Sequence, residues 1–392
     1  MGPLDGITVL DFTIFQQGPQ ATLALCDMGA DVIKVEPPKF GDLGRYVARH
    51  EHTSAYHLAH NRGKRSITVD LKSDAGREII RRLIPRADVL AHNFRPGIME
   101  KLGFGYDAAR ALNERIIYAH ASGWGPKGAK AEHPAFDIAA QARAGIMSMT
   151  GEIDGSPLPA GAAIADYSGA MNFALSIVAA LYAREKTGVA QKVETSLFGA
   201  TIAMQAWELQ YYLLSGRQQR GGRGHAYLPT IWRVFQTKDG WAVIGGVGDD
   251  RWHDFCEAVG MPDLEHDERF TDGFHRAANL QALYALLDDK FLARMTGEWI
   301  PVLEAHDMIC APVANYDDVS RDPQALANEY VLAVEHPTLG ETKVVGHSWS
   351  FSETPAQVAA WAPEVGQHSE EILLELGYTW EQITALRDAG AI

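Results

Sequence analysis

Asp166 is the residue of this sequence whose surroundings point most directly to chemistry. It sits in Ala163-Ile164-Ala165-Asp166-Tyr167-Ser168-Gly169, where a tight turn runs into a long apolar stretch ending at Arg184-Glu185-Lys186-Thr187-Gly188. A carboxylate in that place can do two things. As a helix N-cap, its oxygen accepts a hydrogen bond from an orphan amide of the first turn. Ionised and within reach of a substrate, it can attack an electrophilic carbonyl, its charge favoured by the first-turn amides and the helix dipole by roughly 0.3 to 1 kcal/mol. Full burial works the other way, raising the pKa and quenching the nucleophile.

Other residues with reactive side chains fit their alternatives less well. His50, His52, His57 and His60 lack H-E-x-x-H spacing and no acidic set completes them, so a surface or interface helix is expected rather than a metal site. Ser196 and Cys26 have no nucleophile-elbow or triad context and are expected to be structural. Cys26, Cys256 and Cys310 are too far apart in sequence for a disulfide framework or a cysteine zinc site.

The elements that must hold Asp166 follow from the periodicity. Met171, Phe173, Leu175, Ile177, Val178, Leu181 and Tyr182, with alanines between them, predict a helix enclosed on most sides, with Gly188 as its C-cap. Upstream, short apolar strands at 7–12, 31–36, 66–71, 88–92 and 116–121 alternate with helical segments, and 192–195 predicts one more strand. Strand, helix, strand at this spacing implies a parallel sheet with right-handed crossovers, whose ligands lie beyond the carboxyl ends of the strands. The first crossover reads Thr13-Ile14-Phe15-Gln16-Gln17-Gly18-Pro19, without the G-x-G-x-x-G that brings amides against a pyrophosphate, which disfavours a nicotinamide dehydrogenase.

At 392 residues the chain exceeds one ordinary core, so about two domains are expected. The composition shifts at Gly216-Arg217-Gln218-Gln219-Arg220-Gly221-Gly222-Arg223-Gly224-His225, a linker or mobile flap. Lys238-Asp239-Gly240 then marks a hairpin in an α+β region. The fold class expected is α/β: a Rossmann-like open parallel sheet in a large domain at 1–198, a linker with the Gly-rich flap at 199–225, and a small α+β domain at 226–320. A return linker at 321–345 leads to a C-terminal section at 346–392 that rejoins the large domain. With 46% hydrophobic and 22% charged residues the chain is that of a soluble globular protein. No apolar leader is visible, so no membrane and a cytoplasmic location are expected. A net charge of −15 argues against nucleic acid as a partner.

Five segments, in order and at matching spacing, resemble the family III CoA-transferases, the CaiB/BaiF or formyl-CoA transferase-like family. They are Leu4 to Phe12, Gly29 to Pro37, Asn61-Arg62-Gly63-Lys64-Arg65-Ser66-Ile67, Asn93-Phe94-Arg95-Pro96-Gly97 and Ala165-Asp166-Tyr167-Ser168-Gly169. The resemblance covers essentially the whole chain. It implies that Asp166 is a nucleophile, forming in turn an aspartyl anhydride and an aspartyl-CoA thioester while CoA passes from an acyl-CoA donor to a carboxylic acid acceptor. Gln16 aligns with a glutamine lining the family's active site and is an oxyanion candidate together with local backbone amides.

For CoA, which is a substrate here rather than a permanently bound cofactor, the similarity points to Lys72, Asn93, Phe94 and Lys101, with Arg45 and Arg65 as further cations. Phe136-Asp137 stands where relatives carry Tyr-Glu or Tyr-Asp, so a tyrosyl hydrogen bond is missing while Asp137 can still orient a neighbour. Gly222, Arg223, Gly224 and His225 fall near the family's flap, and Arg223 or His225 can hold a small carboxylic or dicarboxylic acceptor. The family's interlocked homodimer is the expected assembly. Two rival readings are an α-methylacyl-CoA racemase of the same fold, for which His133 is out of register with the expected His-Asp pair, and a CoA-binding protein without catalysis.

Overall fold

The central strands expected from the sequence carry apolar residues on both faces, and they pair side by side. A computed structural model describes residues 1–50 and 52–392. Six strands, β1 (Thr8–Asp11), β2 (Asp31–Glu36), β3 (Arg65–Thr68), β4 (Val89–His92), β5 (Ile117–Ser122) and β6 (Lys192–Ser196), form one parallel sheet in the order β3-β2-β1-β4-β5-β6. This is the doubly wound order, and its switch point lies between β1 and β4.

Alternation sends Leu10, Ile33, Leu90 and Tyr118 to one face and Val9, Val32, Val89 and Ile117 to the other. A parallel sheet needs both faces covered. The first face buries Ile79, Ile80 and Leu83 of the helix Asp74–Leu83, together with Ile372, Leu373 and Ile383 from near the C-terminus. The second packs on Ala21, Ala24 and Leu25 of α1 (Gln17–Asp27) and on Ala170, Phe173, Ala174 and Ile177 of a 24-residue helix, Ile164–Thr187. The alanines let that helix lie close to the sheet.

Gly188 ends this helix in the left-handed region at φ 73°, as the spacing predicts. Its enclosure is less complete than expected: Leu175 and Tyr182, on the face turned from the sheet, are 68% and 66% exposed. Length and apolar composition would let it cross a membrane, yet Phe173 and Ile177 are fully buried in the sheet-facing core.

The chain forms two compact units, Met1–Ala144 with Gly161–Gln205 and Pro323–Ile392, and Gly145–Ala160 with Ala206–Asp322. The boundaries differ from the sequence expectation in three places. Gly145–Ala160 belongs to the second unit, residues 199–205 to the first, and the stretch expected as a return linker carries an antiparallel hairpin, Val331–His336 with Gly340–Val345. The second unit is α+β: strands β7 (Trp232–Gln236), β8 (Trp241–Gly245) and β9 (Ile309–Pro312) pair antiparallel in the order β9-β8-β7, and Phe235, Phe255, Phe291 and Trp299 fill its core. Lys238-Asp239-Gly240 turns the β7–β8 hairpin.

Candidate active site

Asp166 is not the N-cap of its helix. The cap position is Ala163, which has no capping side chain, and Asp166 is the third helical residue. The capping oxygen comes from another helix, α2 (Asp137–Ala144): Asp137 Oδ1 accepts from the amides of Ala165 at 2.7 Å and Asp166 at 3.1 Å. Gln141 Nε2 donates to Asp137 Oδ2 at 2.6 Å and fixes the carboxylate in that pose. With the capping task taken over by Asp137, the Asp166 carboxyl faces a cavity of about 570 Å³ in the first unit.

The same arrangement corrects a second expectation. The amide of Ile164 donates to Ala162, so the first three amides of the helix are all engaged and none is left to stabilise the Asp166 carboxylate or an oxyanion beside it. Burial chiefly, and then the negative charge of Asp137, push the Asp166 carboxyl from 3.8 up to about 7. Near neutral pH it is therefore poised between its protonated and nucleophilic forms.

The cavity opens at the carboxyl ends of β1, β4 and β5, around the switch point, as an open sheet predicts. Its floor is the loop after β1. Asn93 clamps that loop with both ends of its carboxamide, accepting from the Ile14 amide and donating to the Ile14 carbonyl, each at 2.8 Å. Phe15 is held at φ 63°, a left-handed conformation that costs a non-glycine residue about 1–3 kcal/mol, and its amide donates to Asp42 Oδ1 at 3.2 Å. Such strain persists only where neighbours over-determine it. Gln16 and Gln17, both buried, follow directly and line the cavity, and α1 begins there without a side-chain cap. Phe136 stands opposite, its ring edge-on to Phe15 at 5.8 Å.

The residues proposed for CoA divide. Phe94 lines the cavity while packing partly on the core, and Asn93 lines it as well as clamping the loop. Lys72 and Lys101 are exposed, and neither has an ion-pair partner among the described residues. Arg45 and Arg65 are committed elsewhere. Arg45 grips Glu36 with Nε at 2.8 Å and a terminal nitrogen at 2.7 Å, and donates to the Pro363 carbonyl. Arg65 starts β3, at the end of the sheet opposite the cavity, and is held by Asp31, Glu371 and Glu375.

The flap residues Gly222, Arg223, Gly224 and His225 belong to the second unit, where they line a separate cavity of about 750 Å³. Arg223 pairs with Glu152 at 3.4 Å and lies over Trp241, while His225 stacks on Trp207 and reaches Glu208 at 3.3 Å. Of the histidines expected on a surface or interface helix, His57 and His60 are buried within the first unit, in the helix Ala55–Asn61. Burial holds both below their ordinary pKa, His57 at about 2 and His60 at about 4.

Among the polar residues lining the cavity, Gln17, Tyr56 and Arg95 were not singled out for the site by the sequence reading. Arg95 lies within the Asn93-to-Gly97 motif, which was a signal in hand. Gln17 had none beyond adjacency to Gln16.

A doubly wound α/β fold with a poised carboxyl facing a cavity at its switch point defines an α/β enzyme of the Rossmann-like class. Residues 4–369 match CoA-transferase family III, and the chain belongs to that family. It is 36% identical over 337 residues to an acetyl-CoA:oxalate CoA-transferase of Acetobacter aceti, across 84% of this chain and 86% of the relative. It is 32% identical over 397 residues to the succinyl-CoA:glutarate CoA-transferase of Homo sapiens, across 100% of this chain and 90% of the relative. Among solved structures, a CaiB/BaiF family protein from Brucella suis superposes with a TM-score of 0.86 at 33% identity, covering 96% of this chain and 99% of that one. The protein is a family III CoA-transferase.

Proposed function

We propose that this enzyme moves CoA from an acyl-CoA to a small carboxylic acid through covalent intermediates on Asp166, with a dicarboxylate as acceptor. The observation that carries the reading is the Asp166 carboxyl, relieved of capping by Asp137, facing the cavity with its pKa raised to about 7. The ionised oxygen attacks the thioester carbon, forming an aspartyl anhydride and expelling CoA thiolate. The thiolate then attacks Asp166 Cγ, releasing the donor's carboxylate and leaving aspartyl-CoA. The acceptor carboxylate attacks the same carbon, and the returning thiolate takes the acceptor's acyl group, which restores Asp166.

Gln16 supplies an oxyanion donor at the substrate carbonyl. Phe94 and Asn93 contact CoA, and Arg95, Lys101 and Lys72 meet its phosphates. A dicarboxylate acceptor is consistent with oxalate and glutarate in the relatives' names. The family's interlocked homodimer is the assembly proposed, and the exposed Leu175 and Tyr182 supply apolar surface for it.

Acyl exchange between a panel of acyl-CoAs and carboxylates tests the reading. Asp166→Asn is expected to abolish exchange with CoA affinity nearly unchanged, and an Asp166→Asn enzyme with substantial turnover would remove the assignment. His133 on the cavity wall gives the racemase reading a second titratable group. Solvent deuterium entering the substrate's α-carbon without acyl exchange would favour that reading.

A further inference from the structure

The first turn of the Asp166 helix has no amide to offer the reacting centre, since Asp137 and the Ala162 carbonyl already accept all three. A donor must come from another element. Gln17 opens α1 against the same helix: it is 4% exposed, lines the Asp166 cavity, and its Nε2 has no hydrogen-bond partner among the described residues. A buried, unpaired carboxamide nitrogen is unfavourable, and an apolar side chain would fill the position without that cost. Gly169 explains how it fits. It lies three residues after Asp166, on the same helical face. A Cβ there would stand 2.7 Å from Gln17 Nε2 and 3.2 Å from its Cγ, so in this pose the carboxamide fills the space that a side chain at 169 would take.

We infer that Gln17 Nε2 is the oxyanion donor for the aspartyl carbonyl itself, acting when CoA thiolate converts the mixed anhydride into aspartyl-CoA. This rests on Asp166 being the nucleophile. The anhydride offers two electrophilic carbons, that of the substrate and Cγ of Asp166. When the sulfur attacks Cγ, an S–C bond forms and the carbonyl pair moves onto the Asp166 oxygen, where a fixed N–H stabilises it. Collapse restores the carbonyl and breaks the bond from Cγ to the bridging oxygen, and the carboxylate leaves with that electron pair. A donor seated in the contact between α1 and the Asp166 helix stays with Cγ whatever acyl group arrives. It directs the thiolate to the protein's carbonyl rather than back to the substrate's.

The test weighs intact protein after rapid acid quench, using whichever of formyl-, acetyl- and succinyl-CoA the wild type turns over fastest. Gln17→Met keeps the side chain's length and loses its N–H, while Gly169→Ala keeps the carboxamide and displaces it. The wild type is expected to carry CoA on the Asp166 peptide. Gln17→Met is expected to carry the acyl group instead, formed within about twofold of the wild-type rate, with turnover slowed about a hundredfold and a melting temperature equal or higher. Gly169→Ala shifts the adduct ratio the same way.

Wild-type adduct ratio and turnover in Gln17→Met would overturn the inference. Acylation slowed as much as turnover would also overturn it, by moving the donor to the substrate carbonyl. A wild type with neither adduct on that peptide would remove the nucleophile reading and this inference together.

Discussion

Asp11 ends β1 and Asp166 stands in the first turn of its helix, two acids of one unit that are both largely removed from water, and they meet opposite surroundings. Asp11 is fully buried. It accepts from the Thr13 amide and hydroxyl, from Thr22 Oγ1 at 2.7 Å and from Lys64 Nζ at 2.9 Å. Burial alone would raise its pKa, but Lys64, then Lys34 and the two hydroxyls, hold it at about 2. Asp166 is less buried, yet the charge beside it is the like charge of Asp137, and its carboxyl rises to about 7. Partners, more than depth, set the state of a buried acid. The saturated carboxylate ties β1, α1 and the Asn61-to-Ile67 segment together, whereas the uncompensated one is left free to react.

The largest effect expected from breaking this contrast is on the saturated side. Lys64→Met strands the Asp11 charge and is expected to cost about 3–5 kcal/mol, read as a lower urea midpoint at pH 7. A midpoint at the wild-type value would mean that Lys34 and the hydroxyls suffice.

Removing the uncompensated charge has the opposite sign. The folded-state pKa of Asp166 lies above its unfolded value, so the wild type loses stability as pH rises from about 4 to about 7, and the loss is complete above that. Asp166→Asn is therefore expected to be more stable than the wild type at pH 8, by on the order of 3 kcal/mol. The advantage should vanish below pH 4. Thermal melts across pH 3.5 to 8.5 check it, and an advantage independent of pH would contradict the raised pKa.

The smallest effect isolates the neighbouring charge. Asp137→Asn keeps an oxygen for the Ala165 and Asp166 amides and removes the negative charge. The rate of enzyme acylation is expected to rise with pH through about 7 in the wild type. In Asp137→Asn the midpoint should move down while staying above the ordinary carboxylate range, because burial is the larger cause. An unmoved midpoint would assign the whole rise to burial.

Much of this was legible in the chain. The βα alternation, the missing glycine fingerprint, the Asp166 helix and its Gly188 stop are local patterns, and local patterns fix strands, caps and turns. What the sequence concealed depends on partners distant along it. Asp137 caps a helix that begins 27 residues later, and no spacing rule links them. Arg45 and Arg65 looked available for phosphate until Glu36, Pro363, Asp31, Glu371 and Glu375 came round to hold them. His57 and His60 read as surface or interface because polar residues on a short helix usually are, and packing within the unit buried them.

Isotope transfer tests the central claim most directly. Turnover with an acceptor acid labelled with ¹⁸O in both carboxylate oxygens passes its bridging oxygen through the second anhydride. When thiolate takes the acceptor's acyl carbon, that oxygen remains on Asp166. The account predicts that a single turnover replaces one ¹⁶O of the Asp166 carboxylate with ¹⁸O and that repeated turnover replaces both, while peptides containing Asp11 or Asp137 gain none. Full turnover with no label on the Asp166 peptide would contradict it.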